Sequence, residues 1–363
     1  MSKAYDRVEW CFLERILLKL GFSELWMRRV MGCVNSVSYS FLINGNVCGF
    51  VRPSRGHSQE DPMSLYLYLL VNEGLSNLLH VTVEQGVCRG FRCDRSGPMI
   101  SHLFFADDTL LFTGASAKDC LAIRNILGVY SRASGQQVNF EKSSMCVSKG
   151  ISSSVGDRLA RLICVQHVRC LDRYLGIPDF ASKNKKQLHK DIKERVWNRI
   201  RGWQGKLMSI GGREVLIKAV IQSIPTYSMS LFRLPRNLLN ELHGLCNHFW
   251  WGSKVTKETI HWAAWDKLCR GKDIGGMGFK NLINFNRALL AKQVWRLIKN
   301  PGSLAARVLK HLYFCSCFVL EAEDGRKGSY LWHSLCWSRS LIDAGSRWRI
   351  GCGSGLVSIY NDK

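Results

Sequence analysis

Residues 100–112 read Ile100-Ser-His-Leu-Phe-Phe-Ala-Asp-Asp-Thr-Leu-Leu-Phe112, two short apolar runs separated by a pair of adjacent carboxylates. Apolar runs of this length on either side of a tight turn predict a β-hairpin. The turn would bring Asp107 and Asp108 together at the edge of a sheet. Adjacent carboxylates repel each other, so a cation is their natural partner, and Mg²⁺ prefers oxygen ligands that it shares with phosphates. The pattern therefore indicates a metal site for in-line phosphoryl displacement, and its alternative is an exposed acidic hairpin tip.

The composition favours a partner with many negative charges. The 363-residue chain carries 51 Lys and Arg against 28 Asp and Glu, a formal net charge of +23. Nucleic acid is the leading candidate, and an anionic membrane surface is the weaker one. No run of about eighteen uncharged apolar residues is present, and the N-terminus lacks an apolar signal region. We therefore expect an intracellular protein that is neither secreted nor bound to a membrane; nothing in the pattern indicates an oligomeric state.

The fifteen cysteines include no C-x-x-C pair. Most lie in apolar segments, as do Cys11, Cys120, Cys164 and Cys246. This placement predicts reduced, buried thiols. A second group has loose spacing and comprises Cys315, Cys317, His333 and Cys336. Because that spacing matches no standard zinc finger, we interpret these side chains as separate packing residues and predict no zinc site.

Helix and strand signals alternate up to about residue 178, which predicts an α+β fold. Asp6 and Glu9 have capping-box spacing, so a helix is expected to begin at Asp6 and to close at Gly21. The Asn44-Gly45 pair is a hairpin turn signal. The remaining elements are predicted as a helix over 24–34, a strand over 39–43, a helix that Asp61 and Pro62 open and that runs to about 79, and a helix over 118–133 that Ser134-Gly135 ends.

The character of the chain changes after residue 181. Residues 183–218 contain eleven Lys or Arg and three acids, a net charge of +8, with Trp197 and Trp203 among them. A basic helical face that carries aromatics suits a groove that follows a nucleic-acid backbone. A solvated helix is the alternative, and we expect each tryptophan by itself to be a core residue. A further helix is predicted over 283–299, followed by a less regular C-terminal segment.

Five motifs stand in order along the chain: Met1-Ser-Lys-Ala-Tyr-Asp-Arg-Val-Glu-Trp10, Arg55-Gly-His-Ser-Gln-Glu-Asp-Pro-Met-Ser64, Phe105-Ala-Asp-Asp108, Asn139-Phe-Glu-Lys-Ser143 and Tyr174-Leu-Gly-Ile-Pro178. They resemble, in turn, the tail of motif A and motifs B to E of the reverse transcriptases of plant non-LTR (LINE-type) retrotransposons. Ser209-Ile-Gly-Gly-Arg213 is similar to the thumb-side segment of these proteins, and Trp348-Arg-Ile-Gly351 to the start of their C-terminal zinc-binding-type region.

This resemblance implies a right-hand polymerase without its fingers. Residues 1–180 would form the palm-like domain, and residues 181–300 a basic, mainly α-helical thumb or connection region. Residues 301–363 would be an irregular segment that begins the C-terminal region. The implied activity is RNA-directed DNA synthesis by two-metal nucleotidyl transfer with Mg²⁺ or Mn²⁺. The implied partners are an RNA template, a DNA primer and dNTPs, in the nucleus.

The resemblance also implies roles for single residues. Asp107 and Asp108 would be the catalytic, metal-binding carboxylates. The other implied roles are Lys142 beside the pyrophosphate leaving group, Tyr5 beneath the incoming sugar, Gln59 near the templating pair, and Leu175 with Gly176 in the turn that grips the primer.

Two departures from the family pattern lead us to expect an inactive polymerase. In the family, the first metal-binding aspartate of motif A directly precedes the residue that matches Met1, and the fingers precede it too. Loss of one member of a catalytic unit costs orders of magnitude in rate. Glu60 stands where motif B has a glycine, and it adds bulk and negative charge beside a polyanionic substrate. The alternatives are a non-catalytic, maturase-like RNA- or DNA-binding protein and a poorly folded pseudogene product.

Overall fold

The computed structural model describes residues 4–58, 61–94, 96–171, 173–178, 185–203, 208–252, 260–325 and 328–346. Its contacts divide into two units, residues 1–171 and 172–363, and each unit is described by itself. The first mixes helices with short strand pairs, and the second is largely helical. The predicted α+β class is confirmed. Among the described residues, none of the helices combines the length and the apolarity that a bilayer span requires.

The helices of the first unit pack around α3. Their bounds are α1 Trp10–Lys19, α2 Glu24–Asn35, α3 Pro62–Glu84, α4 Ala117–Ser134 and α5 Ser153–Ile163. Leu13 and Leu17 lie four residues apart on one face of α1 and are fully buried. They share a core with Tyr68 and Leu75 of α3 and with Tyr130 of α4. This three-helix core supports the strand pairs of the unit.

The strands of the first unit form two-stranded pairs in the part of the chain that the structure describes. The antiparallel pairs are β1 Tyr39–Ile43 with β2 Asn46–Val51, β3 Phe91–Arg92 with β4 Met99–Ile100, and β5 His102–Phe105 with β6 Asp108–Leu111. A parallel pair joins β7 Ser144–Met145 to β8 Gln166–His167. Asn44 and Gly45, with φ of 50° and 82°, connect β1 to β2 as their sequence predicts.

Three further predictions from local sequence are confirmed. Helix α2 forms where its pattern places it. At the start of α3, the Asp61 side chain accepts a hydrogen bond from the Met63 N–H, at 2.9 Å. Helix α4 ends at Ser134, and Gly135 follows in the left-handed region with φ of 77°. Helix α3 continues five residues beyond its predicted end at 79, to Glu84.

The predicted capping box at Asp6 is wrong, because α1 begins only at Trp10 and Glu9 is its N-cap without a side-chain bond. The backbone before the helix is held by residues far along the chain. The Glu9 N–H donates to the Ser134 carbonyl at 3.0 Å, and the Gly56 N–H donates to the Val8 carbonyl at 2.8 Å. These bonds fix residues 5–9 in a non-helical path, so tertiary contacts override the local signal.

We expect Gly135→Ala to destabilise the first unit by at least about 2 kcal/mol. A Cβ at Gly135 would lie 2.3 Å from the Arg7 carbonyl oxygen, so the backbone itself must shift, and its positive φ adds strain. The matched control is Gly21→Ala, which has φ of 88° but open space around the new Cβ. It should cost only the left-handed strain, about 1 kcal/mol. Urea unfolding followed by circular dichroism measures both, and equal losses would contradict the clash.

The prediction that cysteines in apolar segments are buried holds for Cys120 and Cys246 and is wrong for Cys11 and Cys164, which are exposed. Cys11 lies on the solvent side of α1, and Cys164 follows the last residue of α5 with φ of 64°. Burial raises the pKa of the Cys246 thiol to about 12, and Cys269 nearby adds to the shift. An apolar neighbourhood in sequence therefore does not decide which face of a helix a cysteine occupies.

The second unit consists of helices around two apolar cores. The helices are α6 Lys185–Trp203, α7 Ile210–Ala219, α8 Thr226–Leu231, α9 Arg236–Trp250, α10 Trp265–Leu268, α11 Leu282–Lys299, α12 Leu304–Tyr313 and α13 Tyr330–Gly345. One core joins Ile192 and Val196 of α6 to Leu239 of α9. The other joins Val294 of α11 to Trp332 of α13. The helix predicted over 283–299 is confirmed as α11.

The expected irregular C-terminal segment is wrong for residues 304–313 and 330–345, which form α12 and α13. Helix α13 packs against α11 because Trp332, Leu335 and Cys336 recur at helical spacing on one face. The whole C-terminal motif, Trp348 to Gly351, lies outside the described residues. The two units divide after Leu171, so the short hairpin of β9 Arg173–Tyr174 and β10 Ile177–Pro178 falls in the second. The assignment of palm, thumb and C-terminal region stays a prediction.

Candidate active site

The Asp107–Asp108 pair lies at the tip of the β5–β6 hairpin, as its sequence predicts. Phe105 pairs with Asp108, so Ala106 and Asp107 form a two-residue turn. Ala106 has φ of 50°, a left-handed conformation that costs a residue with a Cβ about 1 kcal/mol. Strained residues persist only where the surroundings hold them, and they cluster at functional sites. The turn is therefore a fixed structure rather than a loose loop.

A buried amide holds this turn. The Asn72 Nδ2 atom on α3 donates to the Ala106 carbonyl at 3.3 Å. The Tyr130 hydroxyl on α4 donates to Asn72 Oδ1 at 3.4 Å and to the Val71 carbonyl at 3.3 Å. Asn72 and Tyr130 are both buried. The core helices thus position the carboxylates, a role that sequence patterns do not reveal beyond the presence of an asparagine in an apolar helix.

Tyr68 connects the turn to Tyr5. Its ring is fully buried, and its centroid lies 5.0 Å from that of Tyr5. Burial raises the pKa of Tyr68 to about 12; Asn72 opposes this shift, while the Asp107 carboxylate and Tyr5 add to it. The phenol therefore stays neutral at physiological pH. The structure brings Tyr5 and Asp107 close to one buried side chain.

Both carboxylates of the turn are exposed. Adjacent carboxylate oxygens are the ligands that Mg²⁺ and Mn²⁺ prefer. Asp108 forms no ion pair with any described residue. Within the described ranges, no third His, Cys, Asp or Glu completes a metal-binding group. The donor set fits a hard divalent cation, whose remaining positions would be filled by water, substrate phosphate or another carboxylate.

The segment that resembles motif B packs against the one that resembles motif A. The His57 N–H donates to the Tyr5 carbonyl at 2.9 Å, and a Cβ at Gly56 would lie 2.5 Å from the Asp6 carbonyl oxygen. A cavity of about 290 Å³ opens here, with Asp6, Arg55 and His57 in its lining. Burial lowers the pKa of His57 to about 4, with Asp61 opposing, so the imidazole is neutral. The two segments form one wall beside Tyr5.

A family model supplies the decisive comparison. The family described as reverse transcriptase (RNA-dependent DNA polymerase) matches residues 1–189, more than half of the chain. The chain belongs to the reverse transcriptase family. Its match covers the Asp107–Asp108 turn together with Tyr5, Lys142 and the β9–β10 hairpin. An α+β polymerase-like fold follows from this membership.

Three plant proteins resemble this chain. An uncharacterized mitochondrial protein of Arabidopsis thaliana is 42% identical over 132 residues, which are 36% of this chain and 86% of the relative. A protein named "Putative ribonuclease H protein" from the same plant is 38% identical over 187 residues, 50% of this chain and 30% of the relative. A second uncharacterized mitochondrial protein of the same plant is 51% identical over 69 residues, which are 19% of this chain and 57% of the relative. The predicted kinship with plant retroelement reverse transcriptases is confirmed, although the chain spans less than two thirds of two of these relatives.

Of two other predicted site residues, one lies in a loop and the other is outside the described part of the chain. Lys142 is exposed, and its N–H donates to Asn139 Oδ1 at 3.1 Å, which closes a tight turn after α4. Gln59, like Glu60, lies outside the described residues. Their roles beside the pyrophosphate and the templating pair stay predictions.

Leu175 and Gly176 form the two-residue turn of the β9–β10 hairpin in the second unit. Their φ values are 50° and 76°. Turns with two positive φ values favour Asn-Gly, as at Asn44 and Gly45, and a leucine there is strained. The primer-gripping role of this turn stays a prediction.

We expect Leu175→Asn to stabilise the reverse transcriptase by about 1 kcal/mol, because asparagine tolerates the left-handed region that leucine resists. The reciprocal change, Asn44→Leu, places leucine at the equivalent position of the β1–β2 turn and should destabilise by a similar amount. Thermal unfolding of both variants measures the effect. A loss of stability in Leu175→Asn would mean that the leucine side chain contributes packing that outweighs its backbone strain.

Helix α6 of the reverse transcriptase separates an apolar face from a basic one. Its buried residues are Leu188, Ile192, Val196 and Ile200, and its exposed cations are Lys190, Lys193, Arg195, Arg199 and Arg201. The two lysines pair with Glu194 at 3.6 Å and Glu241 at 2.7 Å. The three arginines form no ion pair with any residue that the structure describes. The Trp203 ring lies 5.7 Å from that of Phe249 and packs against the core, whereas Trp197 is half-buried.

The loose Cys and His group does not form one site among the described residues. Cys336 is buried, whereas Cys315 and Cys317 are exposed. His333 Nδ1 lies 2.6 Å from Asp324 Oδ1. Cys336 also lies beside Asp324: burial raises the pKa of its thiol to about 11, Asp324 adds to the shift and Arg339 opposes it.

Proposed function

We propose that the first unit is the palm of an RNA-directed DNA polymerase of a non-LTR retroelement that acts in the nucleus. The helices after residue 181 would serve as its thumb. The observation that carries the proposal is the buried Asn72–Tyr130 pair, which fixes a strained turn bearing two exposed carboxylates. Nothing in core packing requires two adjacent charges there, whereas nucleotidyl transfer requires rigidly placed metal ligands.

Asp107 and Asp108 would hold Mg²⁺ or Mn²⁺. When bound, the metal supplies Lewis-acid charge that stabilises the attacking and leaving oxygens of phosphoryl transfer. Tyr5 packs on the neutral Tyr68. The Tyr5 side chain would lie beneath the sugar of the incoming nucleotide and leave no room for a 2′-hydroxyl. The remaining proposed contacts are Lys142 with the pyrophosphate of the dNTP, Gln59 with the templating pair of the RNA, and Leu175 and Gly176 with the DNA primer.

Primer extension on an RNA template with Mg²⁺ or Mn²⁺ tests this proposal. Two proteins are compared: the 363-residue chain, and a chimera in which the fingers and the motif A aspartate of an active plant reverse transcriptase precede Met1 and in which Glu60 is replaced by glycine. We expect extension by the chimera only. A folded chimera without activity would overturn the palm assignment. The 363-residue chain is also compared with its Asp107→Asn, Asp108→Asn variant. If the unchanged chain extended the primer more than this variant, the prediction that the chain alone is inactive would be overturned.

The α6 face supports a second candidate, a maturase-like protein that binds RNA or DNA without catalysis. Arg195, Arg199 and Arg201 are three exposed cations of this helix that form no ion pair with a residue that the structure describes. Replacing all three by glutamine should lower the slope of log affinity for single-stranded RNA against log salt by about 2. If the salt slope changed by this amount and the chimera extended no primer, the binding function would be favoured over the polymerase.

A further inference from the structure

Gln136 is a fully buried polar side chain beside the segment that bears Tyr5. It lies two residues beyond the end of α4, and its backbone N–H donates to Ser134 Oγ at 3.2 Å. Its Nε2 atom donates to the Ala4 carbonyl at 2.7 Å, across 132 positions of the chain. The Oε1 atom is buried and has no hydrogen-bond partner among the described residues. Within that part of the chain, the Ala4 carbonyl is therefore what orients this amide.

The bond from Gln136 and a second bond from His57 hold the backbone on either side of Tyr5. The Ala4 carbonyl belongs to the planar peptide group before the Tyr5 Cα atom, and the Tyr5 carbonyl belongs to the one after it. Gln136 Nε2 binds the first carbonyl, and the His57 N–H binds the second at 2.9 Å. Two peptide planes that are held in place fix the backbone dihedral angles between them. The direction in which the Tyr5 side chain leaves the backbone is fixed with them.

The ring of Tyr5 is supported separately from its backbone. Tyr68 is fully buried and packs on this ring, with the two centroids 5.0 Å apart. Tyr68 restricts rotation about the side-chain bonds of Tyr5, whereas Gln136 acts on the peptide group from which the side chain starts. Because the phenol is the far end of the side chain, a small rotation of that peptide group displaces the phenol by more than it displaces the Cα atom. Ring packing therefore does not replace the bond from Gln136.

We propose that Gln136 is a positioning residue for the sugar gate, which is the Tyr5 ring beneath the sugar of the incoming nucleotide, and that it sets how strictly ribonucleotides are excluded. The inference rests on the proposed palm function. A gate of this kind discriminates by volume, so its strictness depends on where the ring lies relative to the 2′ position of the sugar. Gln136 is buried, so it acts on the nucleotide only through the peptide group between Ala4 and Tyr5.

The first test needs no catalysis and uses the 363-residue chain. Gln136→Met has a side chain of similar length without a donor, so it leaves the buried Ala4 carbonyl without this bond. Hydrogen–deuterium exchange is read at the His57 amide, whose N–H donates to the Tyr5 carbonyl. We expect its protection to fall about tenfold more than that of the α3 amides, which report global stability. Gln136→Leu, a second variant without a donor, should give the same result.

Gln222→Met is the matched control in the second unit. The Gln222 side chain is 1% exposed and binds the backbone of Lys280, with its Nε2 donating to the carbonyl and its Oε1 accepting from the N–H, each at 3.2 Å. This variant removes a comparable buried amide and should lower protection at Lys280 while leaving the His57 amide unchanged. Unchanged protection at His57 in both Gln136 variants would overturn the proposal, whether or not the protein is a polymerase.

The second test measures selectivity in the fingers-bearing chimera. The readout is the ratio of kcat/KM for a deoxyribonucleotide to kcat/KM for the ribonucleotide of the same base. We expect Gln136→Met to lower this ratio at least about tenfold, mainly through faster use of the ribonucleotide, and Gln222→Met to leave it unchanged. A purely structural role predicts the same ratio in both variants.

The failure of this proposal is distinguishable from the failure of the palm assignment. If the Gln136→Met chimera extended primers with an unchanged ratio, Gln136 would not position the gate, and the palm assignment would stand. If the unchanged chimera extended no primer, the palm assignment and the gate would be overturned together. Loss of His57 protection would then mean that Gln136 only supports the fold.

Discussion

Replacing Asp107 and Asp108 together by asparagine should abolish metal-dependent chemistry without destabilising the fold. We expect Mn²⁺ affinity at the turn to fall at least about tenfold, and primer extension by the fingers-bearing chimera to fall about a thousandfold or more. Asparagine preserves the shape of each side chain but removes the charge that a hard cation requires. The two carboxylates are exposed and adjacent, so their loss relieves the repulsion between them. The free energy of unfolding should therefore stay unchanged or rise slightly.

The control for this experiment removes two charges elsewhere in the same unit. Asp94→Asn with Glu84→Gln changes exposed acids outside the hairpin turn. Mn²⁺ titration by electron paramagnetic resonance compares the two double variants, and urea unfolding checks their folds. If the control lost as much Mn²⁺ affinity as the turn variant, the binding would reflect diffuse surface charge. If the turn variant unfolded at much lower urea, the carboxylates would have a structural role that their exposure does not suggest.

Turns and helix ends were predictable because their chemistry is local. Asn44-Gly45, Asp61-Pro62 and Gly135 each specify a backbone conformation within a few residues, and the structure confirms all three. The capping box at Asp6 failed for the opposite reason. The bonds that displace the helix start come from Gly56 and Ser134, which are distant in sequence.

The candidate site shows the same division between local and distant information. Its carboxylate turn is visible in thirteen consecutive residues, but the side chains that hold it are not. Asn72 is 34 residues from Ala106 and 58 from Tyr130, and both contacts depend on how α3 packs. A single asparagine within an apolar helix indicates a buried hydrogen bond without identifying its partner. Sequence therefore predicted the turn and its two carboxylates and missed the side chains that support it.

The C-terminal helices were missed because polar side chains interrupt the apolar pattern of α13. Ser334 and Ser338 are buried, and each satisfies its hydroxyl hydrogen within the helix, while the Ser334 oxygen also accepts from the Arg233 N–H at 2.9 Å. Their hydroxyls donate to the carbonyls of Tyr330 and Leu335, within the same helix, at 2.6 Å and 2.8 Å. Serine satisfied in this way can occupy a core-facing position, so hydrophobic periodicity understates the buried face.

Trp332→Ala is therefore expected to be the most damaging single substitution in the second unit, with a loss of about 3–5 kcal/mol. The Trp332 side chain is 1% exposed and stacks on Tyr313 and Phe314, with centroids 4.6 Å and 5.7 Å away. Its indole N–H donates to the Glu323 carbonyl at 3.4 Å. Alanine would leave a large cavity between α12 and α13 and an unpaired carbonyl beside it.

Trp262→Ala provides the matched comparison, because its side chain is 79% exposed in the same unit and its removal should change stability by less than about 0.5 kcal/mol. Urea unfolding monitored by far-ultraviolet circular dichroism measures both variants. A similar, small effect of the two substitutions would mean that α12 and α13 are not held by a shared core. A large effect of Trp332→Ala alone would show that residues 304–345 are a cooperative part of the second unit and not an irregular extension.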